Sequence, residues 1–169
     1  MKRYIGKVII LGKSGSGKSF LGLSLIKKYS KGTVIVGSCA NKQEYIEKGF
    51  GFLKDYTDHN CINPLIIETG KKYFFSDPTS QRYGTGEMNA IISGCGYGDF
   101  SQDKKATIFY DDGTWYRNTA IDLWKMSHCK CNILISANSL GDILQISDND
   151  ITKDMRKDME KLGWKIVEL

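Results

Sequence analysis

No stretch of about 18 consecutive apolar residues occurs in this 169-residue chain, which removes a membrane-spanning helix from consideration. The N-terminus, Met1-Lys2-Arg3-Tyr4, leads straight into a short apolar strand and lacks the longer apolar core of a secretory signal. A soluble protein of the cytoplasm with no membrane partner is therefore expected. Internal repeats, linkers and low-complexity segments are also missing, and the length suits one domain, residues 1–169, around one core. Arginine is scarce. Against twenty lysines stand only Arg3, Arg82, Arg117 and Arg156, so any chemistry that requires a guanidinium must draw on those four.

The five cysteines, at 39, 61, 95, 129 and 131, are odd in number and scattered, which argues against a disulfide framework and for reduced thiols. His128-Cys129-Lys130-Cys131 and His59-Asn60-Cys61 contain residue types that ligate zinc. A Cys-x-Cys entering a strand turns both thiols to one face, however, where small buried cysteines are common, and burial is the expectation here. A net charge of +5 and a pI near 8.9 are compatible with a polyanionic partner but ordinary for a soluble protein.

What is present is a rhythm of short apolar runs and helical patterns. Lys7 to Leu11 (KVIIL) is too short for a helix and is bounded by glycines, so it reads as a strand buried on both faces. Phe20, Leu21, Leu23, Leu25, Ile26 and Tyr29 follow with a helical period that closes on Lys27-Lys28 and stops near Gly32. Thr33 to Val36 reads as a second strand, and Asn41 with Glu44 resembles a capping box that opens a helix over Lys42 to Lys48. Leu65 to Glu68 and Lys72 to Phe75 flank Thr69-Gly70, predicting a projecting β-hairpin insertion over about residues 62–78.

Residues 84–98 are glycine-rich around a short helical stretch, Glu87 to Ser93, and read as a mobile loop. Ala106 to Tyr110 and Asn132 to Ser136 are further strands, separated by a helix over Thr119 to Met126. Asp150 to Leu162 is amphipathic on Ile151, Met155, Met159 and Leu162 and ends at Gly163, before a last strand from Trp164 to Leu169.

Between the first strand and first helix lies Gly12-Lys13-Ser14-Gly15-Ser16-Gly17-Lys18-Ser19, a full GxxxxGK[ST] match in the context that the motif requires. Glycines let the backbone fold so tightly that its N–H groups point at phosphate oxygens, and the helix N-terminus adds partial positive charge. Gly12, Lys13, Ser14, Gly15, Ser16, Gly17, Lys18, Ser19 and Phe20 are the expected nucleotide-binding set. In it Lys18 reaches the β and γ phosphates and Ser19 ligates Mg2+.

Asp111-Asp112, ending a buried strand, are the candidates for the remaining chemistry: Asp111 for Mg2+ and Asp112 for polarising the attacking water. Asn138, just past the strand Asn132 to Ser136, has an amide suited to reading the γ phosphate and that water. Its bland alternative is a turn residue.

GKSGSGKS, ATIFYDD and CNILISANS, with the helix TAIDLWKMSH between the last two, resemble the FtsK/HerA superfamily of P-loop motors, in particular small viral genome-packaging ATPases. The chain departs from that pattern with Asp112 in place of glutamate, Asn138 where glutamine is frequent, and Ser127-His128 where Arg-His is frequent. The resemblance implies an α/β fold of the ASCE, RecA-like kind, with a mainly parallel sheet in strand order 5-1-4-3-2 flanked by helices. It implies an ATP- and Mg2+-dependent, terminase-like motor that forms a homo-oligomeric ring, a pentamer or hexamer, on double-stranded DNA. Such a motor docks on a capsid portal or vertex, in the host cytoplasm or on the virion.

Ring motors complete each site with an arginine from the neighbouring subunit, and Arg117, beside Trp115 and Tyr116, is the first candidate, with Arg82 second. Lys71-Lys72 or Lys104-Lys105 are candidates for DNA contact. Phage assembly or conjugative DNA transfer would use the same chemistry. A nucleoside or nucleotide kinase shares the loop but usually carries an arginine-rich lid, which four dispersed arginines do not supply. No late NKxD for guanine and no LSGGQ-like segment is found.

Overall fold

A computed structural model describes residues 5–38, 42–52, 57–58, 61–62, 68–75, 100–111 and 123–169. Its elements, in chain order, are β1 (Lys7–Leu11), α1 (Lys18–Tyr29), β2 (Val34–Ser38), α2 (Lys42–Glu47), β3 (Gly51–Phe52), β4 (Thr57–Asp58), β5 (Cys61–Ile62), β6 (Lys72–Phe75), β7 (Thr107–Asp111), α3 (Leu123–Ser127), β8 (Asn132–Ala137), α4 (Leu140–Leu144), α5 (Lys153–Lys161) and β9 (Trp164–Glu168). Short 3-10 turns lie at Phe100–Gln102 and Asp148–Asp150.

The apolar runs become strands because both of their faces find cover. Ile9 and Leu11 of β1, Ile35 of β2, Ile108 and Tyr110 of β7 and Ile133 and Ile135 of β8 face one layer, which α4 and α5 close with Leu140, Ile143 and Met159. The alternate residues, Val8, Ile10, Val36, Phe109 and Leu134, face the layer that holds Ile26 of α1 and Tyr45 of α2. This two-sided burial is an α/β architecture. Gly22 decides how closely α1 approaches, since a Cβ there would lie 2.2 Å from Cζ of Phe109.

The sheet has seven strands in the order β3-β6-β2-β7-β8-β1-β9, and every pairing in it is parallel. It differs from the expected five-strand order in that β6 and β3 extend it beyond β2. The other five lie side by side as β9-β1-β8-β7-β2.

The hairpin expected around Thr69-Gly70 is corrected by the same topology. Lys72–Phe75 pairs in parallel with β2 and with β3, so it belongs to the main sheet. The reason is visible in its burial: Tyr73 and Phe74 are both covered, on opposite faces, which an arm projecting into solvent could not offer. Of that segment, residues 63–67 and 76–78 lie outside the described residues. A separate antiparallel pair joins β4 to β5.

The last helix also starts later than its apolar pattern suggests. Thr152 caps it, its side chain accepting from the Met155 N–H at 3.2 Å, while Asp148–Asp150 forms its own 3-10 turn. The glycine-rich segment 84–98, Asn41 of the expected capping box and residues 119–122 fall outside the described residues.

Candidate functional site

Since all seven strands run the same way, their carboxyl ends share one edge, and that edge collects the ends of β1, β7 and β8. The loop from Gly12 to Gly17 leaves β1 there and turns into α1. Its start is tied down by the Gly12 N–H donating to Ala137 O at 3.2 Å, and its tip by the Ser16 N–H donating to Lys13 O at 3.1 Å.

Gly15 and Gly17 have φ of 80° and 92°, a region that side chains resist, and a Cβ at either would meet open space. Gly17 is the N-cap of α1, and no side chain caps the helix. Its first N–H groups are therefore not covered by a capping side chain and carry the positive end of the helix dipole. Beside them the Ser16 hydroxyl oxygen is buried without a hydrogen-bond partner.

Lys18 is buried, and its ammonium donates to Gly12 O at 2.7 Å, Lys13 O at 2.9 Å and Asn138 Oδ1 at 3.2 Å. Two of these acceptors are carbonyls of the glycine loop and the third stands just past β8. The structure thus brings together Lys18 and Asn138, residues 120 positions apart.

Asp111 ends β7 only 2% exposed. Its Oδ1 accepts from Ser19 Oγ at 2.8 Å and from Ser136 Oγ at 2.9 Å, and its Oδ2 accepts from the Tyr45 phenol at 2.7 Å. A buried carboxylate needs such donors, and three hydroxyls supply them. Tyr45 is itself locked by stacking on Phe74, with ring centroids 4.2 Å apart and planes 6° from parallel. Sequence reasoning missed Tyr45 and Ser136. Neither type has a motif position, although Ser136, the one hydroxyl in the strand and set between apolar residues, is a signal.

The donor set fits a magnesium–triphosphate group. Ser19 offers a hydroxyl oxygen whose proton is already held by Asp111, hard oxygen ligands are what Mg2+ takes, and the glycine turn leaves room for phosphates beside the helix N-terminus. A cleft of about 310 Å3 adjoins the loop between Gly12, Lys13, Asn138, Arg156, Glu168 and Leu169. Phe20, included in the expected nucleotide set, is 78% exposed and lines a different groove of about 480 Å3 with Lys27, Lys48, Phe50 and Lys72.

Asp112, Arg117, Arg82 and Arg3 lie outside the described residues, as does His59. Arg156 pairs with Glu168 at 2.5 Å. Among the described residues no group of three or more His, Cys, Asp or Glu could hold a metal ion, and no helix is long and apolar enough to cross a membrane. No family model, no curated protein and no solved structure matches the chain.

Proposed function

We propose that this chain is an ATP-hydrolysing P-loop enzyme whose site runs from Gly12 to Ser19 and is completed by Asp111, Asp112 and Asn138. The observation that carries the reading is the Ser19–Asp111 hydrogen bond of 2.8 Å at the foot of the glycine loop, because it joins the motif's hydroxyl to a buried carboxylate 92 positions away. A glycine-rich turn with no further role has no need of that partner.

In this reading the loop N–H groups and Lys18 hold the phosphates, Lys18 exchanging carbonyl acceptors for phosphate oxygens. Ser19 would hold magnesium, with Asp111 behind it, and the ion would neutralise charge on the phosphoryl oxygens. Asp111 acts by fixing the Ser19 hydroxyl, since both of its own oxygens already accept hydrogen bonds. Asp112 polarises the attacking water and takes its proton, and Asn138 contacts the γ phosphate. The cleft beside Gly12 and Leu169 receives the rest of the nucleotide.

On the resemblance in its motifs we further infer a ring-forming, DNA-translocating motor of the genome-packaging kind, with Arg117 supplied to the neighbouring site. ATP turnover, with and without double-stranded DNA and with oligomer size measured in the same samples, tests both levels. Hydrolysis lost in Lys18→Ala and Asp111→Ala supports the enzyme, and equal turnover in both variants sinks it. Stimulation by DNA in a ring, with Arg117→Ala subunits poisoning or complementing Lys18→Ala subunits, supports the motor. A monomer indifferent to DNA overturns that second level and favours a kinase or switch.

A further inference from the structure

The amino edge of the sheet, opposite the glycine loop, collects lysines. β2, β7 and β8 are neighbours there and start in register, with Val34 beside Thr107 and Thr107 beside Asn132. Lys31 lies three residues before Val34, Lys104 three before Thr107 and Lys130 two before Asn132. The three approaches therefore end side by side across two strand spacings, about 10 Å.

Close contacts hold these approaches together. A Cβ on Gly32 would lie 2.7 Å from Lys105 O and 2.8 Å from Lys105 Cβ, so the turn after α1 rests directly on the chain that leads into β7. The Asn132 amide donates to Ala106 O at 3.0 Å and to Lys104 O at 3.4 Å, tying the start of β8 to the same segment. From inside, the buried Lys7 ammonium donates to Cys129 O at 2.7 Å and Cys131 O at 2.5 Å, which fixes the backbone on both sides of Lys130.

The result is a surface of one sign. Lys31, Lys104, Lys105 and Lys130 are exposed, and among the described residues none of them forms an ion pair. The one acid within these approaches, Asp103, has its Oδ1 accepting the Lys105 N–H at 2.8 Å. Further along the edge Lys71 is matched by Glu68 and adds no net charge. Lysines clustered in space, from three separate stretches of chain, are the footprint of phosphate binding.

An aromatic ring stands in the same loop system. Trp124 of α3 is 63% exposed, and its ring packs on His128 with centroids 4.4 Å apart and planes tilted by 50°. Ser127 Oγ donates to Trp124 O at 2.6 Å, and the buried Trp164 indole donates to Leu123 O at 3.2 Å, which pins α3 to the core. The indole of Trp124 is thus held at the surface on the segment that leads to Lys130. An exposed ring beside a lysine cluster accepts an unstacked base, which a single strand offers and a duplex keeps inside.

We propose that the amino edge of the sheet binds a single-stranded polynucleotide, with Lys31, Lys104, Lys105 and Lys130 on its phosphates and Trp124 stacked on a base. The site lies at the other edge from the glycine loop, and its argument does not depend on ATP hydrolysis there.

The full chain is titrated with fluorescein-labelled oligothymidylate and oligouridylate of about 20 nucleotides, followed by anisotropy over a range of salt concentrations. Binding of either should weaken with salt, with a slope of about −0.7 per phosphate contacted, and the ratio of the two shows whether a 2′-hydroxyl is favoured. Trp124→Ala should weaken binding about 5- to 150-fold at an unchanged salt slope, and Trp124→Phe should restore most of the loss. Lys104→Ala combined with Lys105→Ala should instead reduce the slope by about 1.4. Circular dichroism establishes that each variant is folded. The proposal is overturned if neither oligonucleotide binds at low salt. It is equally overturned if a duplex of the same length binds as tightly and folded Trp124→Ala changes nothing, which leaves a plain polyanion surface. ATP turnover without nucleic acid, measured on the same preparation, reads the glycine loop separately: binding without turnover rejects the ATPase alone, and turnover without binding rejects this site alone.

Discussion

Two buried lysines mark the two ends of β1, and each has its ammonium on two main-chain carbonyls. Lys18 holds Gly12 O and Lys13 O and adds the Asn138 side chain. Lys7 holds Cys129 O and Cys131 O. The surroundings separate them. Lys18's acceptors belong to a loop with open space at Gly15 and Gly17, and its third partner is the exposed Asn138 side chain. Lys7's acceptors are locked between the start of one central strand and the approach to another. The same side chain is thus placed to exchange partners at the carboxyl edge and to clamp the backbone at the amino edge.

Replacing each lysine by methionine separates the two roles. On the proposed function, Lys18→Met should lower ATP turnover by about 10²- to 10³-fold, the usual effect of removing one preorganised charge from a phosphoryl-transfer site. Its urea midpoint should move little. Lys7→Met should do the reverse, costing about 1–3 kcal/mol of stability because a buried and a part-buried carbonyl lose their donor, with turnover intact. Equal effects on turnover would erase the distinction.

Tyr45→Phe extends the comparison to the carboxylate beside Lys18. It leaves Asp111 Oδ2 without its phenol donor, and a loss of about 1–2 kcal/mol is expected in urea unfolding. Ser136→Ala should cost less, since Oδ1 retains Ser19.

The smallest expected effect is one of pH at the amino end. Lys7 has a folded-state pKa below its ordinary 10.5, so the unfolded chain binds more protons between the two values. The penalty is present in full below the folded value and fades as pH rises through that window. The stability of the wild type relative to Lys7→Met should therefore increase as pH rises toward the ordinary lysine value of 10.5. A flat difference would mean that Lys7 is as well solvated folded as unfolded.

Much of the architecture was legible because buried parallel strands announce themselves as short apolar runs. KVIIL, ATIFY and NILIS needed no tertiary knowledge, and each is a strand here. KYFF was equally apolar but followed a Thr-Gly pair, and local turn chemistry suggested a hairpin where the sheet provides parallel neighbours. The start of the last helix was misjudged for the opposite reason. Ile151 and Met155 fit the helical period, but the Thr152 hydroxyl marks the boundary and outweighs the pattern.

The sequence alone determined the glycine loop, its lysine and serine, and the acidic end of ATIFYDD. These requirements are local: a positive φ, a hydroxyl beside a helix N-terminus and a carboxylate at a strand end are properties of single residues and their chain neighbours. Only the tertiary structure decided that Asp111 rests on Ser19, Ser136 and Tyr45, that Asn138 meets Lys18, and that Lys7 stands beside Cys129 and Cys131. All of those contacts but Asp111–Ser136, 25 positions apart, join residues more than 60 positions apart. Parallel pairing brings distant strand ends to a common edge, and no local preference encodes which distant strand will be the neighbour.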